Sequence, residues 1–370
     1  MKSPFRRAAS APAPAPAPMP MLSFAGKRPK HFTLQDSSAA ERDADLEAFM
    51  RARRLVVVSS SERVAGDLRA YLRRSRRSPA RGSTRRAVPP SSSQLGIAWQ
   101  DDAAAAAAGG WHRWSTAGAA ACQWHTSLVT EREVAMFALA AESARAAAAE
   151  DRRGADGIRR ACAALCDAAG ALREAAGGAD AGAATGMSPA RVAALEGLML
   201  ALECYFELAV AGGRPPALCS MVARQVSLDY GDVRAALEAP ELRRQHADHR
   251  QWAAHAEAKA AYFAAEACLR AARERRAEGD VGVAIARLRQ AAATLKGSKP
   301  LKKAWLKREV EAELAGAEHD NGMIYYMAVP ANGELAELPG LQQRLVQPTP
   351  LENILQQGTH GDGGAPAAGG

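Results

Sequence analysis

The chain has 370 residues, enough for one large core or two modest ones. About a quarter of them are alanine and 5% are aromatic, a composition that forms helices readily and strands poorly and so excludes a mainly β fold. The formal charge of +8 is uneven: residues 1–90 carry 19 Lys/Arg against 7 Asp/Glu, while the other 280 carry 29 against 33, which excludes a whole-surface nucleic-acid binder.

Residues 1–35 contain no acid, and an Ala-Pro repeat runs from Ala11 to Pro18. Such a segment builds no core and favours extended polyproline conformations, so it reads as a tail. An acid-poor, Arg/Ser/Ala-bearing N-terminus also fits an organelle transit peptide, although the prolines interrupt an amphipathic helix. No secretory apolar segment and no run of ~18 apolar residues is present, so an intracellular, reducing setting is expected.

Residues 36–93 form a basic, partly helical lead. Within it Arg69, Arg73, Arg74, Arg76, Arg77, Arg81, Arg85 and Arg86 occur with no acid among them. The stretch is either a solvated linker or a contact for an anionic membrane. Arg73, Arg74, Arg76 and Arg77 are the candidates for the second role.

A succession of helices follows. Thr130 with Glu133 has the spacing of a capping box that opens a helix through Val134, Phe137 and Ala141. After Gly154 a second helix carries Ile158, Ala161, Cys162, Leu165 and Leu172. Ser188-Pro189 predicts an N-cap with proline at the first helical position, and Val192, Leu195, Met199, Leu202 and Phe206 form the stripe beyond it. Gly212-Gly213 and Pro215-Pro216 divide that helix from a fourth, and Pro240 separates the fourth from a fifth. Residues 259–296 contain the clearest hairpin. An Ala-rich helix ends at Gly279, Asp280 caps the next, and Val281, Ala284, Ile285, Leu288, Ala292 and Leu295 share one face. This is tetratricopeptide-like grammar, and one such hairpin needs neighbours to cover its stripe. Residues 346–370 read as a flexible tail.

Catalytic signatures are absent: the sequence has no G-x-x-x-x-G-K-[ST], no G-x-S-x-G and no H-E-x-x-H. Cys162 and Cys166 lie one helical turn apart, no CxxC occurs, and all six cysteines are expected to be structural thiols. His246 and His249 lack a converging third ligand. No enzyme activity, metal or cofactor is expected.

Taken in order, these blocks resemble the Bro-type (BRO one) domain of Alix-like endosomal-sorting adaptors, and most of all its plant members. The resemblance spans 94–345 and rests on Gln94–Asp101, Glu133–Glu150, Ser188–Phe206, Gly282–Leu288 and Asn321–Pro330. It implies a mainly α, banana-shaped solenoid with a small β portion near its N-terminal side. It also implies a non-enzymatic adaptor in multivesicular body sorting, cytoplasmic and peripheral on endosomal membranes. In this family a concave apolar patch receives the C-terminal amphipathic helix of an ESCRT-III subunit of the Snf-seven class. The patch carries over onto Tyr205, Leu218 and Val222, with Tyr205 standing where the family has Phe. Residues 36–90 match the family poorly. The competing reading is a helical scaffold that has lost ESCRT-III binding and docks another protein, or an acidic membrane through its Arg-rich segment. No specific nucleic-acid partner is expected.

Overall fold

The structure is a computed structural model that describes residues 19, 21, 24, 27–29, 44–59, 63–77, 97–101, 122–125, 128–176, 188–200, 203–243, 248–297, 304–343 and 345–357. The expectations for residues 1–18, for Arg81, Arg85 and Arg86, for His246 and for 358–370 lie outside these residues. So do the side chains of Arg76, Arg77 and His249.

Among the described residues three short strands lie on the N-terminal side. β1 (Lys27–Pro29) pairs antiparallel with β2 (Ile97–Asp101), which pairs antiparallel with β3 (Cys122–His125). Trp99 of β2 faces inward and is almost fully buried. Two helices precede β2 in sequence, α1 (Ala44–Val58) and α2 (Val64–Arg77). Leu68, Tyr71 and Leu72 of α2 recur at helical spacing and are buried.

The next helix, α3 (Leu128–Ala149), is buried at every residue from Val134 to Ala141. A helix apolar on all sides belongs in the centre of a core. It starts two residues before Thr130, so Thr130 and Glu133 are buried inside its first turns rather than at a cap. Between them Glu131 ties the N-terminal elements together. It accepts from Arg53 Nε at 2.8 Å, from Tyr71 OH at 2.7 Å and from Trp99 Nε1.

The body continues through α4 (Ala155–Ala175), α5 (Pro189–Met199), α6 (Glu203–Ala211), α7 (Pro216–Leu237) and the short α8 (Pro240–Arg243). Ser188 caps α5 as its sequence requires, its Oγ accepting from Arg191 N at 3.2 Å. The long α9 (Asp248–Ala277) packs along α7. Small residues let the two backbones approach: Ser220 Oγ donates to Ala267 O and Ser227 Oγ to Ala260 O, both at 2.9 Å.

The expected hairpin is α9 with α10 (Val281–Gly297), and α11 (Ala304–Asp320) stacks on α10. Gly279 takes φ +88° at the turn, and Asp280 Oδ1 accepts from Val283 N at 3.2 Å. These helices hold a second core of Leu269, Ile285, Leu288, Leu306 and Val310, separate from the larger core of α1–α9.

The chain then returns as a strap over 326–343 and 345–350. Leu341 N donates to Gln225 Oε1 of α7 at 3.2 Å, and Thr349 N to Cys166 O of α4 at 3.0 Å. The strap lies against α4 at Gly170, where an added Cβ would meet Thr349 O at 2.0 Å. It ends in α12 (Leu351–Gln356), which buries Leu351, Ile354 and Leu355 against α4 and α2. Residues 346–357 are therefore part of the packed body, not of a flexible tail. At the other end Met19 is buried and Phe24 enters the main core, meeting the Phe137 ring at 5.3 Å. The expectation of an unpacked 1–35 fails at these two residues because each supplies a large apolar side chain.

Candidate functional site

Tyr205, Leu218 and Val222 come from α6 and α7, which meet through the tight turn 212–216. Gly213 adopts φ +62° there, and Arg214 N donates to Ala209 O at 3.0 Å, which reverses the chain within a few residues. Pro215 and Pro216 then start α7. This turn brings the C-terminal end of α6 to the first turn of α7. Tyr205 and Leu218 are half-buried and rest on the main core.

Val222 differs from the other two. It is four residues beyond Leu218 on the same helix face but has 0% exposure. The cause is the wide buried stripe of α7, which is packed by α5, α6 and α9 together. Val222 therefore backs the surface and does not belong to it. Farther along this face Asp229, Asp232, Val233 and Ala236 line a cavity of ≈ 220 Å³ with Ala194 and Gly197 of α5 and Val346 of the strap.

The position of α6 is fixed from beneath by a buried ion network. Lys259 Nζ of α9 donates to both carboxylate oxygens of Glu203, at 2.7 and 2.6 Å. Tyr230 OH adds a bond at 2.9 Å and Arg152 Nη1 another at 3.2 Å. Burial alone pushes the Glu203 carboxyl up, but the charges of Lys259 and Arg152 more than offset it and hold the carboxyl below its ordinary value. Burial lowers Lys259 against the pull of Glu203. Sequence reading missed this network. Its signal was the pair Glu203 and Glu207 in the otherwise apolar α6 and a lone Lys inside the Ala-rich α9.

The Arg-rich candidates divide. Arg73 is partly buried, and its Nη1 donates to Leu355 O at 2.7 Å, which satisfies a carbonyl at the end of α12. Arg69 lies 4.0 Å from Asp167. Arg73 is thus engaged inside the fold, whereas Arg74 is exposed.

The molecule also has an exposed apolar run. Met323, Ile324, Tyr325, Tyr326 and Met327 are 41–75% exposed on the turn that follows α11. Asn321 holds this turn: its Nδ2 donates to Met327 O at 3.0 Å, and Met327 N donates to its Oδ1 at 2.9 Å. Gly282 lets the segment beyond lie on α10, where a Cβ would meet Ala328 O at 2.2 Å.

Among the described residues no group of three His, Cys, Asp or Glu is arranged to hold a metal ion. No described helix is long and apolar enough to cross a membrane.

Comparison with known proteins gives a consistent assignment. The BRO1-like domain profile matches residues 111–363. The vacuolar-sorting protein BRO1 of Arabidopsis thaliana is 31% identical over 243 residues, covering 61% of this chain and 28% of that protein. The pH-response regulator palA/RIM20 of Emericella nidulans is 32% identical over 218 residues, covering 54% of this chain and 25% of that protein. The chain thus spans about a quarter of the length of either relative. Among solved structures, the ALIX BRO1 domain in complex with CHMP4C superposes with a TM-score of 0.73 at 20% identity, covering 91% of this chain and 97% of that one. The shared fold is the banana-shaped helical domain expected from the sequence. The chain belongs to the BRO1-like domain family.

Proposed function

We propose that this protein is a non-enzymatic endosomal-sorting adaptor. Its surface at Tyr205 and Leu218 receives the C-terminal amphipathic helix of an ESCRT-III subunit of the Snf-seven class. The observation that carries the reading is the placement of these two half-exposed apolar side chains on a rigid, ion-pinned support. The occurrence of CHMP4C with the ALIX domain of the same fold agrees with it. An amphipathic helix gains affinity from a few apolar anchors that enter such a surface, with Val222 as its firm backing. The same reading puts the protein in the cytoplasm, peripheral on endosomal membranes.

Leu218→Asp tests the assignment. The change sets a carboxylate where the partner's apolar face must sit, at a desolvation cost of several kcal/mol, enough to abolish micromolar binding. Circular dichroism and binding of an ESCRT-III C-terminal peptide are measured on the same sample. Intact helicity with lost binding supports the site. A folded variant that binds like wild type refutes the site, and a wild type that binds no such peptide refutes the function.

The scaffold reading, with membrane contact through the Arg-rich segment, is supported by exposed Arg74. The bond of Arg73 to Leu355 weakens it.

A further inference from the structure

We propose that a second pocket, between α4, α6 and α9, binds a primary ammonium group carried on a short apolar chain. This is the chemistry of a lysine side chain or of a small alkylamine. The pocket lies on the other side of α6 from Tyr205, because Glu203, Phe206, Glu207 and Val210 recur at helical spacing on the face that lines it. It stands independently of the ESCRT-III reading.

Its volume is ≈ 140 Å³, close to that of cavities of about 150 Å³ that take up one benzene molecule. The walls are largely aromatic and aliphatic. Phe206 and Phe263 meet edge-on at 5.4 Å, Tyr262 packs edge-on against Phe263 at 5.3 Å, and Ile158 and Val210 close the sides. Among the described residues, one buried polar atom of this lining has no hydrogen-bond partner. Glu207 accepts from Arg152 Nη1 with Oε1 at 2.5 Å, while its Oε2 is buried and accepts no hydrogen bond. A buried orphan acceptor calls for a donor.

The donor's charge follows from the surroundings. Burial, with the charge of Glu203 added, pushes the Glu207 carboxyl up to about 7 even though Arg152 is beside it. Burial likewise raises Glu266, whose bonds from Tyr262 OH at 3.4 Å and Arg270 Nε at 3.2 Å are long. Arg152, Arg153 and Arg270 also line the pocket, yet burial outweighs the nearby positive charge at these two carboxyls, so a further buried cation would bring them down. The rings favour the same sign, and the Arg270 guanidinium already lies 5.9 Å from the Phe206 ring centre. An anion has no donor to offer Oε2, and a purely apolar guest would leave it unpaired.

The full chain is titrated above pH 7, where the Glu207 carboxyl is ionised, with n-butylammonium and with N-acetyl-lysine methylamide, and 1-butanol serves as the uncharged control. Calorimetry reads the binding. Saturable binding of either ammonium probe, at least tenfold tighter than 1-butanol and weakened at least tenfold by Glu207→Gln, is the expected result. Binding of both probes, or of n-butylammonium alone, assigns the site to free amines as well as or instead of lysine. Binding of the lysine probe alone assigns it to a polypeptide. Each of these outcomes sustains the proposal. Val210→Phe, which fills the pocket and leaves the carboxylate in place, should also block binding and covers the case of a misfolded Glu207 variant. Butanol binding as tight as the ammonium probes, or no saturable binding by either probe, overturns it.

Discussion

Lys259→Met is the sharpest test of how the fold supports its surface. Lys259 has no exposed side-chain area and donates both of its described hydrogen bonds to Glu203, itself 2% exposed. Removing one member of a buried ion pair typically costs 3–5 kcal/mol, because the other charge is left without compensation. Here Glu203 keeps Tyr230 at 2.9 Å and Arg152 at 3.2 Å, so the loss belongs at the lower end of that range. A value of about 3 kcal/mol is roughly two decades in the unfolding constant. Urea unfolding followed by circular dichroism should show a lower midpoint at an unchanged slope. Adding Glu203→Leu to the same chain removes the stranded carboxylate and should restore much of the loss, since apolar replacement of a buried pair is often close to neutral. A single variant that loses less than ~1 kcal/mol would refute the reasoning. So would a double variant less stable than the single one.

Three other expectations follow from the same geometry. Val222→Asp should unfold the domain, with loss of the cooperative transition, because it buries an unpaired charge where Val222 has no exposed surface; a folded Val222→Asp protein would place this residue at the surface after all. Glu207 holds its proton in the folded state up to about 7, against 4.5 for its ordinary value. The stability this lends is complete below the unfolded value and is lost as pH rises through about 7, so wild type should weaken relative to Glu207→Gln across that window by up to ~3 kcal/mol. A stability difference that stays flat or grows with pH would contradict this sign. Asn321→Ala removes both side-chain bonds that hold the apolar turn, at roughly 1 kcal/mol each, and amide exchange at Met327 should accelerate while α10 stays protected.

The sequence made the helical grammar legible because its punctuation has direct backbone causes. Ser188 and Asp280 cap the helices they were expected to cap, and Gly279 supplies the left-handed turn between α9 and α10. The Thr130–Glu133 pair shows the limit of such signals. The same residue types serve as buried members of α3, since packing of a helix covered on all sides outweighs a local cap. Tyr205 and Leu218 were singled out through family likeness and are half-buried, but spacing alone did not reveal that Val222 is deeper. Periodicity gives the direction of a side chain from its helix axis, while depth depends on which helices pack there. The strap was invisible for a related reason. Leu338, Gly340 and Leu341 have no period, and their role arises from where the chain returns after α11. Arg73 was legible as a charge but not as the partner of a carbonyl 282 positions away.

The strap also sets how much of the α7 face a partner can use. Leu218 and Gln225 are seven residues apart, or about 10 Å along a helix axis. At Gln225 the strap is tied across by Leu341 N, and Gly340 lies so close that a Cβ there would meet Gln225 Oε1 at 2.7 Å. The cavity at Asp229, Asp232 and Val233 lies past this crossing, with Val346 of the strap in its wall. The stretch of α7 before the strap is therefore only two helical turns long. A docking helix laid along it meets few anchor positions, and each carries a large share of the affinity. Burying one leucine-sized anchor is worth about 1.5–3 kcal/mol, whereas micromolar binding totals about 8 kcal/mol. In the proposed complex, anchors seated on the half-buried Tyr205 and Leu218 would supply a large part of that total. The rigidity of their support then matters directly, because freedom left in α6 would be lost on binding and subtracted from that sum. In the proposed complex the Glu203–Lys259 pair would remove that freedom in advance, so that a buried charge at the start of α6 would aid recognition without touching the partner.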